Sequence, residues 1–216
     1  MKNFIHHDLP KLKRIDSEKG RVYQTPTGDK YPSVTSVSGL KNAKAIQAWR
    51  NRVGVEAANK ISSKAAKRGT AIHSLCEQYL LTEKVKPDMV DVEMWKSLKP
   101  HLDRINNIHC TEAQLFSHDL QVAGTVDCIA EYDGQLSVID FKTASKPKTE
   151  SMIDHYFMQA AAYSVMFEEM TSIVAPRLLI IIGVDDQDPQ VFEQHRDSWI
   201  EGFRELREEY RKLKGV

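Results

Sequence analysis

Two apolar stretches joined by Asp133 and Gly134 constrain the fold of this chain more than any other feature. The first, QVAGTVDCIAEYD, and the second, QLSVIDFKT, are rich in β-branched and apolar residues and have the length of strands. Asp-Gly between two such stretches is a strong hairpin signal, because both positions of the tight turn need a positive φ. The sequence therefore predicts an antiparallel strand pair here.

The remaining segments place this hairpin in a mixed α/β fold. Helical periodicity covers residues 44–81 in two pieces, AKAIQAWRNRVGVEAANKI and AAKRGTAIHSLCEQYLL, and a third helix, DVEMWKSLKPHLDRI, contains Pro100 as a kink or break. The stretch TPTGDKYPS predicts a hairpin turn, and further strands are predicted at TEAQLFSHD, APRLLIIIGV and QVFEQH, with helices at 154–170 and 197–214. This order predicts an α/β sandwich with a mixed sheet, in which residues 1–40 form a turn-rich arm and residues 41–216 one compact domain.

Polar side chains interrupt the apolar pattern where the two strands of the hairpin meet. Side chains alternate along a strand, so Asp140 and Lys142 share one face and Phe141 points to the other, and the hairpin brings Asp127 beside Asp140. We expect these groups at a polar strand end outside the core. Two neighbouring carboxylates repel unless a divalent cation lies between them, and oxygen ligands favour Mg²⁺ or Mn²⁺. Lys142 would then act on a water or neutralise charge on a phosphate, although a surface ion pair is the alternative.

Basic residues are concentrated before the predicted site. The stretch from Lys41 to Arg68 holds eight lysines and arginines and a single acid, Glu56, whereas the whole chain has a net charge of zero. Trp49 lies among these charges. The stretch is either a solvated helix face or a track for phosphates, with Trp49 either a base-stacking surface or a core residue.

Cysteine usage and hydropathy exclude several classes of protein. Cys76, Cys110 and Cys128 are an odd number and lack a C-x-x-C spacing, so no disulfide framework, zinc site or iron–sulfur cluster is expected. No apolar run is long enough to span a bilayer, and the N-terminus has no secretory signal pattern. These features favour a cytoplasmic location and no membrane partner.

Four short motifs occur in an order that resembles the PD-(D/E)XK nuclease superfamily. They are RGTAIHSLCE with His73, GTVD with Asp127, IDFKT with Asp140 and Lys142, and QAAAY with Gln159 and Tyr163. The order resembles the RecB-like branch, and over residues 22–170 the chain is similar to the family of the mitochondrial genome maintenance exonuclease with its phage and bacterial relatives. The resemblance implies a restriction-endonuclease-like αβββαβ core with helices on both sides of a mixed sheet, preceded here by an N-terminal helical region.

The resemblance also implies a function and roles for particular residues. It implies a Mg²⁺- or Mn²⁺-dependent DNA exonuclease acting on free single-stranded ends, in a prokaryotic cell or a phage-infected host, with no iron–sulfur cluster and with unknown protein partners. The implied metal ligands are His73, Asp127, Asp140 and the backbone carbonyl of Phe141. The implied catalytic residues are Asp127, Asp140, Lys142, Gln159 and Tyr163, and we assign DNA binding to Arg50, Arg52, Lys64, Lys67 and Arg68.

Several alternatives remain open at this stage. His73 and Glu77 are four residues apart, so they form either a ligand with its supporting carboxylate or a pair on a helix surface. Glu112 matches an acid that relatives often carry, or else it is a solvent-facing strand terminus. Gln159 and Tyr163 contact nucleic acid or form the polar edge of an amphipathic helix. A flap endonuclease and a non-catalytic DNA-binding accessory protein are the alternative functions.

Overall fold

The computed structural model describes residues 2–17, 20–82 and 84–215. Its helices are α1 (Val34–Ser38), α2 (Leu40–Val53), α3 (Val55–Thr82), α4 (Val92–Asp103), α5 (Asp154–Thr171) and α6 (Ile200–Lys214). Its strands are β1 (Lys13–Ser17), β2 (Gly20–Gln24), β3 (Lys30–Pro32), β4 (Ile105–Ser117), β5 (Val122–Tyr132), β6 (Gln135–Ala144), β7 (Arg177–Val184) and β8 (Gln190–His195). Short 3-10 helices lie at Glu150–Met152 and Arg196–Ser198.

A five-stranded mixed sheet with the order β4-β5-β6-β7-β8 forms the centre of the molecule. Strands β4, β5 and β6 are antiparallel, β6 and β7 are parallel, and β8 returns antiparallel to β7. The parallel pair is connected through α5, since a parallel connection must cross over one face of the sheet. The predicted α/β fold with a mixed sheet flanked by helices is confirmed.

The turn between β5 and β6 has the predicted geometry. Asp133 and Gly134 adopt φ angles of 52° and 76°, and Tyr132 pairs directly with Gln135. Two successive residues with positive φ match the right-handed twist of the strands that they join.

Two hydrophobic cores cover the two faces of the sheet. One contains residues of α1, α5 and α6 together with Leu178, Ile180 and Ile182 of β7. The other contains residues of α3 and α4 together with Leu179 and Ile181. Strand β7 is buried on both faces, which explains its unbroken apolar run.

The boundaries of the N-terminal helices differ from the prediction. The break lies at Gly54, which has a φ of 87°, and α3 continues without interruption through Ser62, Ser63 and Gly69. Gly54 ends α2 because a residue without a Cβ adopts positive φ at low cost. Pro100 lies inside α4, which ends only at Asp103.

Strand β4 is longer than the sequence predicts. It starts at Ile105, and two register shifts, between Asn106 and Ile108 and between Ile108 and Cys110, interrupt its pairing with β5. Asn107 and Glu112 have positive φ within the strand. Bulges add residues to one strand only, so they disturb the alternating pattern from which strands are predicted.

The described part of the first forty residues contains a small sheet with the order β1-β2-β3, followed by α1. The predicted turn joins β2 to β3, where the N–H of Thr25 donates to the carbonyl of Asp29 at 2.9 Å. Tyr23 of this sheet and Leu12, which directly precedes β1, pack with Ala123 of β5. The division into an arm and a domain stays a prediction.

Candidate active site

The central sheet forks between β5 and β6. The last residues that pair across these strands are Cys128 and Ile139. Beyond them β5 remains paired with β4 as far as Val122, and β6 remains paired with β7 as far as Ala144. Asp127 and Asp140 are the first residues past the fork, so both carboxylates lie where the two strands separate.

Asp127 is held at the fork by a backbone and a side-chain contact. Its Oδ2 accepts a hydrogen bond of 2.8 Å from the N–H of Phe141 and lies 3.4 Å from Nδ1 of His73 on α3. The carboxylate thus replaces the strand pairing that is lost at the fork, and it reaches the helix that packs on the sheet. His73 and Asp127 have side chains that are 26% and 12% exposed, so the pair remains open to a ligand.

Glu112 completes a group of three possible metal ligands. The pairs Thr111–Cys128 and Ala113–Val126 place Glu112 opposite Asp127 on the neighbouring strand. One ligand atom from each of His73, Glu112 and Asp127 lies within 4.8 Å of the other two. An imidazole nitrogen and two carboxylate oxygens suit a divalent cation such as Mg²⁺ or Mn²⁺.

Asp140 and Lys142 form an ion pair beside this group. Their side chains share a face, Lys142 Nζ contacts Asp140 Oδ2, and Gln159 Nε2 on α5 donates to Asp140 Oδ1 at 3.3 Å. Lys142 also lies 5.0 Å from the centre of the Tyr156 ring, and Phe141 packs in the opposite core. The alternation read from the sequence is therefore present.

The burial of Asp140 corrects one expectation. We expected Asp140 at a polar strand end outside the core, but it is only 2% exposed. The packing of α5 over this part of β6 removes its carboxylate from water. Asp140 also lies outside the three-residue ligand group, since its side chain faces Lys142 and Gln159, so its role as a ligand stays a prediction, as does that of the Phe141 carbonyl.

The charges at the fork shift one another's protonation. Burial alone would raise the pKa of Asp127, but His73, Lys142 and the N–H of Phe141 together outweigh it and lower that pKa. Burial alone would lower the pKa of His73, but the carboxylates of Asp127 and Asp140 together outweigh it and raise that pKa above 6.5. Burial opposes the charge on Lys142, but Asp140 and Asp127 raise its pKa.

Two carboxyl groups of the site hold protons more firmly than usual. Burial, with the negative charge of Asp127, raises the pKa of Asp140 to about 6. Partial removal from water and the same charge raise the pKa of Glu112 to about 7. Carboxylates that repel one another in this way are stabilised when a cation binds between them.

Gly124 and Tyr163, which belong to two of the motifs, approach each other closely. A Cβ at Gly124 would meet the hydroxyl oxygen of Tyr163 at 2.7 Å, so the glycine makes room for the ring. Tyr163 is 2% exposed, while Gln159, one turn earlier on α5, reaches Asp140. Both side chains hold α5 against the fork, and a contact of either with nucleic acid stays a prediction.

A profile of the PD-(D/E)XK nuclease superfamily matches residues 89–214, which is more than half of the chain. The chain belongs to this superfamily. The resemblance stated from the motifs is therefore confirmed. The match contains β4 to α6 and hence Glu112, Asp127, Asp140 and Lys142, while His73 lies before it.

Curated relatives carry the comparison further. Mitochondrial genome maintenance exonuclease 1 of Homo sapiens is 26% identical over 174 residues, which are 73% of this chain and 50% of the relative. The same exonuclease of Xenopus tropicalis is 29% identical over 129 residues, which are 54% of this chain and 37% of the relative. The chain thus spans half or less of the length of these two relatives. The crystal structure of SSO0001 has a TM-score of 0.42 and 16% identity, covering 82% of this chain and 74% of that one.

The basic residues assigned to DNA binding lie on α2 and α3 of this nuclease fold. Lys64 and Lys67 line a groove of about 680 Å³, together with Lys60, Val90 and Asp91. Arg68 also lines the groove, but its Nη1 contacts both carboxylate oxygens of Asp185 at 2.6 Å.

The other basic residues of the assignment differ in their surroundings. Arg50 donates to Asn59 at 2.7 Å, which ties α2 to α3, and Arg52 is exposed. Trp49 is half-buried. The structure thus leaves Arg52, Lys64 and Lys67 the most accessible of the five assigned residues.

Sequence reasoning undervalued or missed three residues near the site. Glu112 lies inside β4 and not at a strand terminus. Tyr156 precedes Gln159 by three residues, a helical spacing that places both on the same side of α5 as the ion pair. Arg14 lines a cavity of about 490 Å³ with His73, Glu77 and Glu112, and no local pattern links it to them. Among the described side chains, no hydrogen bond joins Glu77 to His73.

Proposed function

We propose that this chain is a Mg²⁺- or Mn²⁺-dependent deoxyribonuclease that acts as an exonuclease on free single-stranded DNA ends. The observation that carries the proposal is the forked sheet, which places His73, Glu112 and Asp127 together with Lys142 close by. The superfamily assignment and the exonuclease names of the curated relatives support it.

The three possible metal ligands and the Asp140–Lys142 ion pair have separate roles in the proposed reaction. A divalent cation bound here would polarise a phosphoryl oxygen and lower the pKa of water. Asp127, oriented by the N–H of Phe141, and His73 with Glu112 would hold that cation. Lys142 keeps a positive charge beside the site, because Asp140 raises its pKa, and this charge stabilises negative charge that develops on the phosphate.

The exposed basic helices that precede the site in the chain support a DNA strand as substrate, and the exonuclease names of the relatives support the free end. No side chain of α2 is buried, and of the part of α3 before His73 only Ala58 and Ile72 are buried. Two helices with so little buried surface and an excess of positive charge suit a strand that passes along them toward His73. Contacts of this kind with phosphates carry no sequence preference.

Product analysis on matched substrates tests the proposal. Linear single strands labelled at either end, a closed circle of the same sequence, a flapped duplex and a blunt duplex are incubated with Mg²⁺, Mn²⁺ or EDTA. We expect degradation of the linear strand with either metal, resistance of the circle, and attack on duplex mainly at frayed or flapped ends. Asp127→Asn is the control for contaminating nuclease and should be inactive on every substrate.

The other outcomes identify the alternative functions. Cutting of the circle as fast as the linear strand would show an endonuclease. Binding of DNA without cleavage in either metal would show an accessory protein. In either case the exonuclease proposal is wrong.

A further inference from the structure

The small N-terminal sheet reaches the candidate active site through Arg14. Arg14 is on β1, far from the other site residues in the chain, yet it lines the same cavity of about 490 Å³ as His73, Glu77 and Glu112. Gly69, Thr70 and Ser74 of α3 complete the described lining. Apart from His73, Arg14 is the basic side chain among these lining residues.

Strand β1 is attached to the strands that carry the carboxylates. The N–H of Leu12, two residues before Arg14, donates to Oε1 of Gln114 at 2.6 Å, and Gln114 follows Glu112 by two residues on β4. Leu12 itself is 7% exposed. The backbone that carries Arg14 is therefore placed relative to Glu112 by a buried anchor and a hydrogen bond.

A second attachment fixes the partner strand of β1. Arg14 pairs in register with Tyr23 of β2, and Tyr23 is 2% exposed with its hydroxyl 3.4 Å from Oγ1 of Thr125. Thr125 precedes Asp127 by two residues on β5. The β1–β2 hairpin is thus held against both strands of the candidate metal group.

The guanidinium of Arg14 is oriented by Asp16. Nε donates to Oδ2 at 2.8 Å and Nη2 donates to Oδ1 at 3.3 Å, and Asp16 also accepts from Nε of Arg21 at 3.2 Å. These bonds with Asp16 occupy one edge of the guanidinium, which carries five N–H groups in all. The Arg14 side chain is 47% exposed, so a ligand can reach the other edge.

The charge balance of the cavity calls for a cation at this place. Glu77 and Glu112 in the cavity and Asp127 beside it repel the phosphates of a DNA strand, and a bound metal would offset only part of that charge. A planar guanidinium with a fixed orientation matches the geometry of phosphate oxygens.

We propose that Arg14 binds a backbone phosphate of the DNA strand next to the phosphodiester bond that is hydrolysed. The assignment rests on the proposed nuclease function and makes the β1–β2 hairpin part of the substrate site. In this assignment Arg14 contacts the substrate and is not a ligand of the metal.

Substitutions at Arg14 and at its neighbour Lys13 test this assignment. Lys13 is the matched control, because it is an exposed cation on the same strand whose side chain points to the opposite face. Affinity for a single-stranded oligonucleotide is measured with Ca²⁺ over a range of salt, cleavage is measured with Mg²⁺, and Mn²⁺ affinity is measured by calorimetry. Thermal melting confirms that each variant folds.

We expect Arg14→Ala to raise the Kd and KM for DNA about tenfold, as for a lost hydrogen bond to a charged group, with kcat nearly unchanged. Its salt slope, the steepness with which log Kd rises with the logarithm of the salt concentration, should fall by about 0.7, the value for one phosphate contact on a single strand. Arg14→Lys should restore the salt slope but only part of the affinity. Lys13→Ala should match the wild type, and Mn²⁺ affinity should stay the same in all three variants.

Two results would overturn the assignment of Arg14 alone. The first is that Arg14→Ala and Lys13→Ala behave alike while the wild type cleaves DNA. The second is that Arg14→Ala loses Mn²⁺ affinity as strongly as DNA affinity. Absence of cleavage by the wild type with every divalent metal would instead overturn the nuclease function on which the assignment rests.

Discussion

At the scale of single residues, the pair of Asp140 and Lys142 shows how burial and reactivity are combined. Asp140 is almost fully buried, and its charge is tolerated because Lys142 and Gln159 contact its two oxygens. Breaking a buried ion pair leaves one charge without a partner in a medium of low polarity. A substitution at either residue should therefore affect folding as well as chemistry.

We expect Asp140→Asn and Lys142→Ala each to reduce cleavage on the order of a hundredfold or more, as for lost stabilisation of transition-state charge. Asp140→Asn should also lower the free energy of unfolding by about 3 kcal/mol, because Lys142 loses its buried partner. Asp133→Asn is the control, since it removes a carboxylate from the exposed turn of the same hairpin. It should leave cleavage unchanged and lower the free energy of unfolding far less than Asp140→Asn, because its ion pair with Arg104 is exposed. Single-turnover cleavage and urea unfolding measure the effects, and a wild-type cleavage rate in Asp140→Asn would contradict the site assignment.

His73 should make metal binding depend on pH. Its pKa is raised above 6.5 by Asp127 in the metal-free protein, and only the neutral imidazole binds a metal. Mn²⁺ affinity should therefore fall as pH drops through that raised pKa, by up to about tenfold per pH unit for each proton displaced. Glu112, with a pKa of about 7, adds to the dependence in the same direction, because its carboxylate must also lose a proton.

His73→Ala should flatten this dependence and leave the part that Glu112 contributes. Calorimetric titration with Mn²⁺ between about pH 5.5 and pH 8 measures it, a range that spans the ordinary histidine pKa. His6→Ala, which changes an exposed histidine of the N-terminal segment, is the control. If His73→Ala retains the wild-type pH dependence, His73 is not a ligand.

At the scale of elements, α2 and the first half of α3 are joined at Gly54 and contribute little to either core. Exposed apolar side chains on them include Ile46, Val55 and Ile61, which are 50%, 64% and 53% exposed. Core packing therefore accounts for little of the role of these helices. Their positive charge and their position before His73 favour an interaction with the DNA strand.

Single charge reversals at Arg50, Arg52, Lys64 and Lys67 test this interaction. Where the residue contacts a phosphate, we expect its reversal to lower the salt slope by about 0.7. The same reversal should weaken the binding of unrelated single strands equally. Arg50 should have the smallest effect, because it is engaged with Asn59. Lys212→Glu on α6 is the control for net charge, and unchanged salt slopes throughout would show that the segment is a solvated face.

At the scale of the whole molecule, α5 connects the site to the N-terminal helices. Its residue His155 lies with Nδ1 3.0 Å from Nδ2 of Asn42 on α2, and its ring is 4.0 Å from that of Tyr156. Burial, with the nearby charge of Lys142, lowers the pKa of His155 to about 4. The folded state therefore favours neutral His155.

This shift predicts how stability depends on pH. The unfolded chain protonates His155 near its ordinary pKa of about 6.5, whereas the folded chain does so only near 4. The stabilisation from neutral His155 is therefore complete above about pH 6.5, is lost as pH falls toward 4, and changes little below that. Allowing for partial exposure, the loss should be on the order of 1 to 3 kcal/mol.

Urea unfolding at several pH values compares His155→Gln with the wild type. The variant cannot titrate in this range, so the difference in stability between the two proteins should change between pH 6.5 and pH 4 in favour of the variant. His6→Gln controls for the loss of an exposed histidine. A constant difference across this range would contradict the depressed pKa of His155.

The sequence by itself determined the features that depend on neighbouring residues. Asp133 and Gly134 predicted the hairpin because the tight turn needs positive φ at both positions. The period of two along β6 placed Asp140 and Lys142 on one face, and the four ordered motifs led to the correct superfamily. No helix among the described residues is long and apolar enough to cross a membrane, as the short apolar runs indicated.

Only the tertiary structure decided which distant residues meet. The place of Glu112 opposite Asp127 depends on register and bulges in β4, which leave no simple periodic pattern. Arg68 binds Asp185, which is 117 residues away in the chain. Arg14 reaches the cavity because the small N-terminal sheet packs against strands that come much later in the chain. Local conformation follows from a few adjacent side chains, whereas strand register, helix docking and burial of a charge such as Asp140 follow from how the whole chain packs.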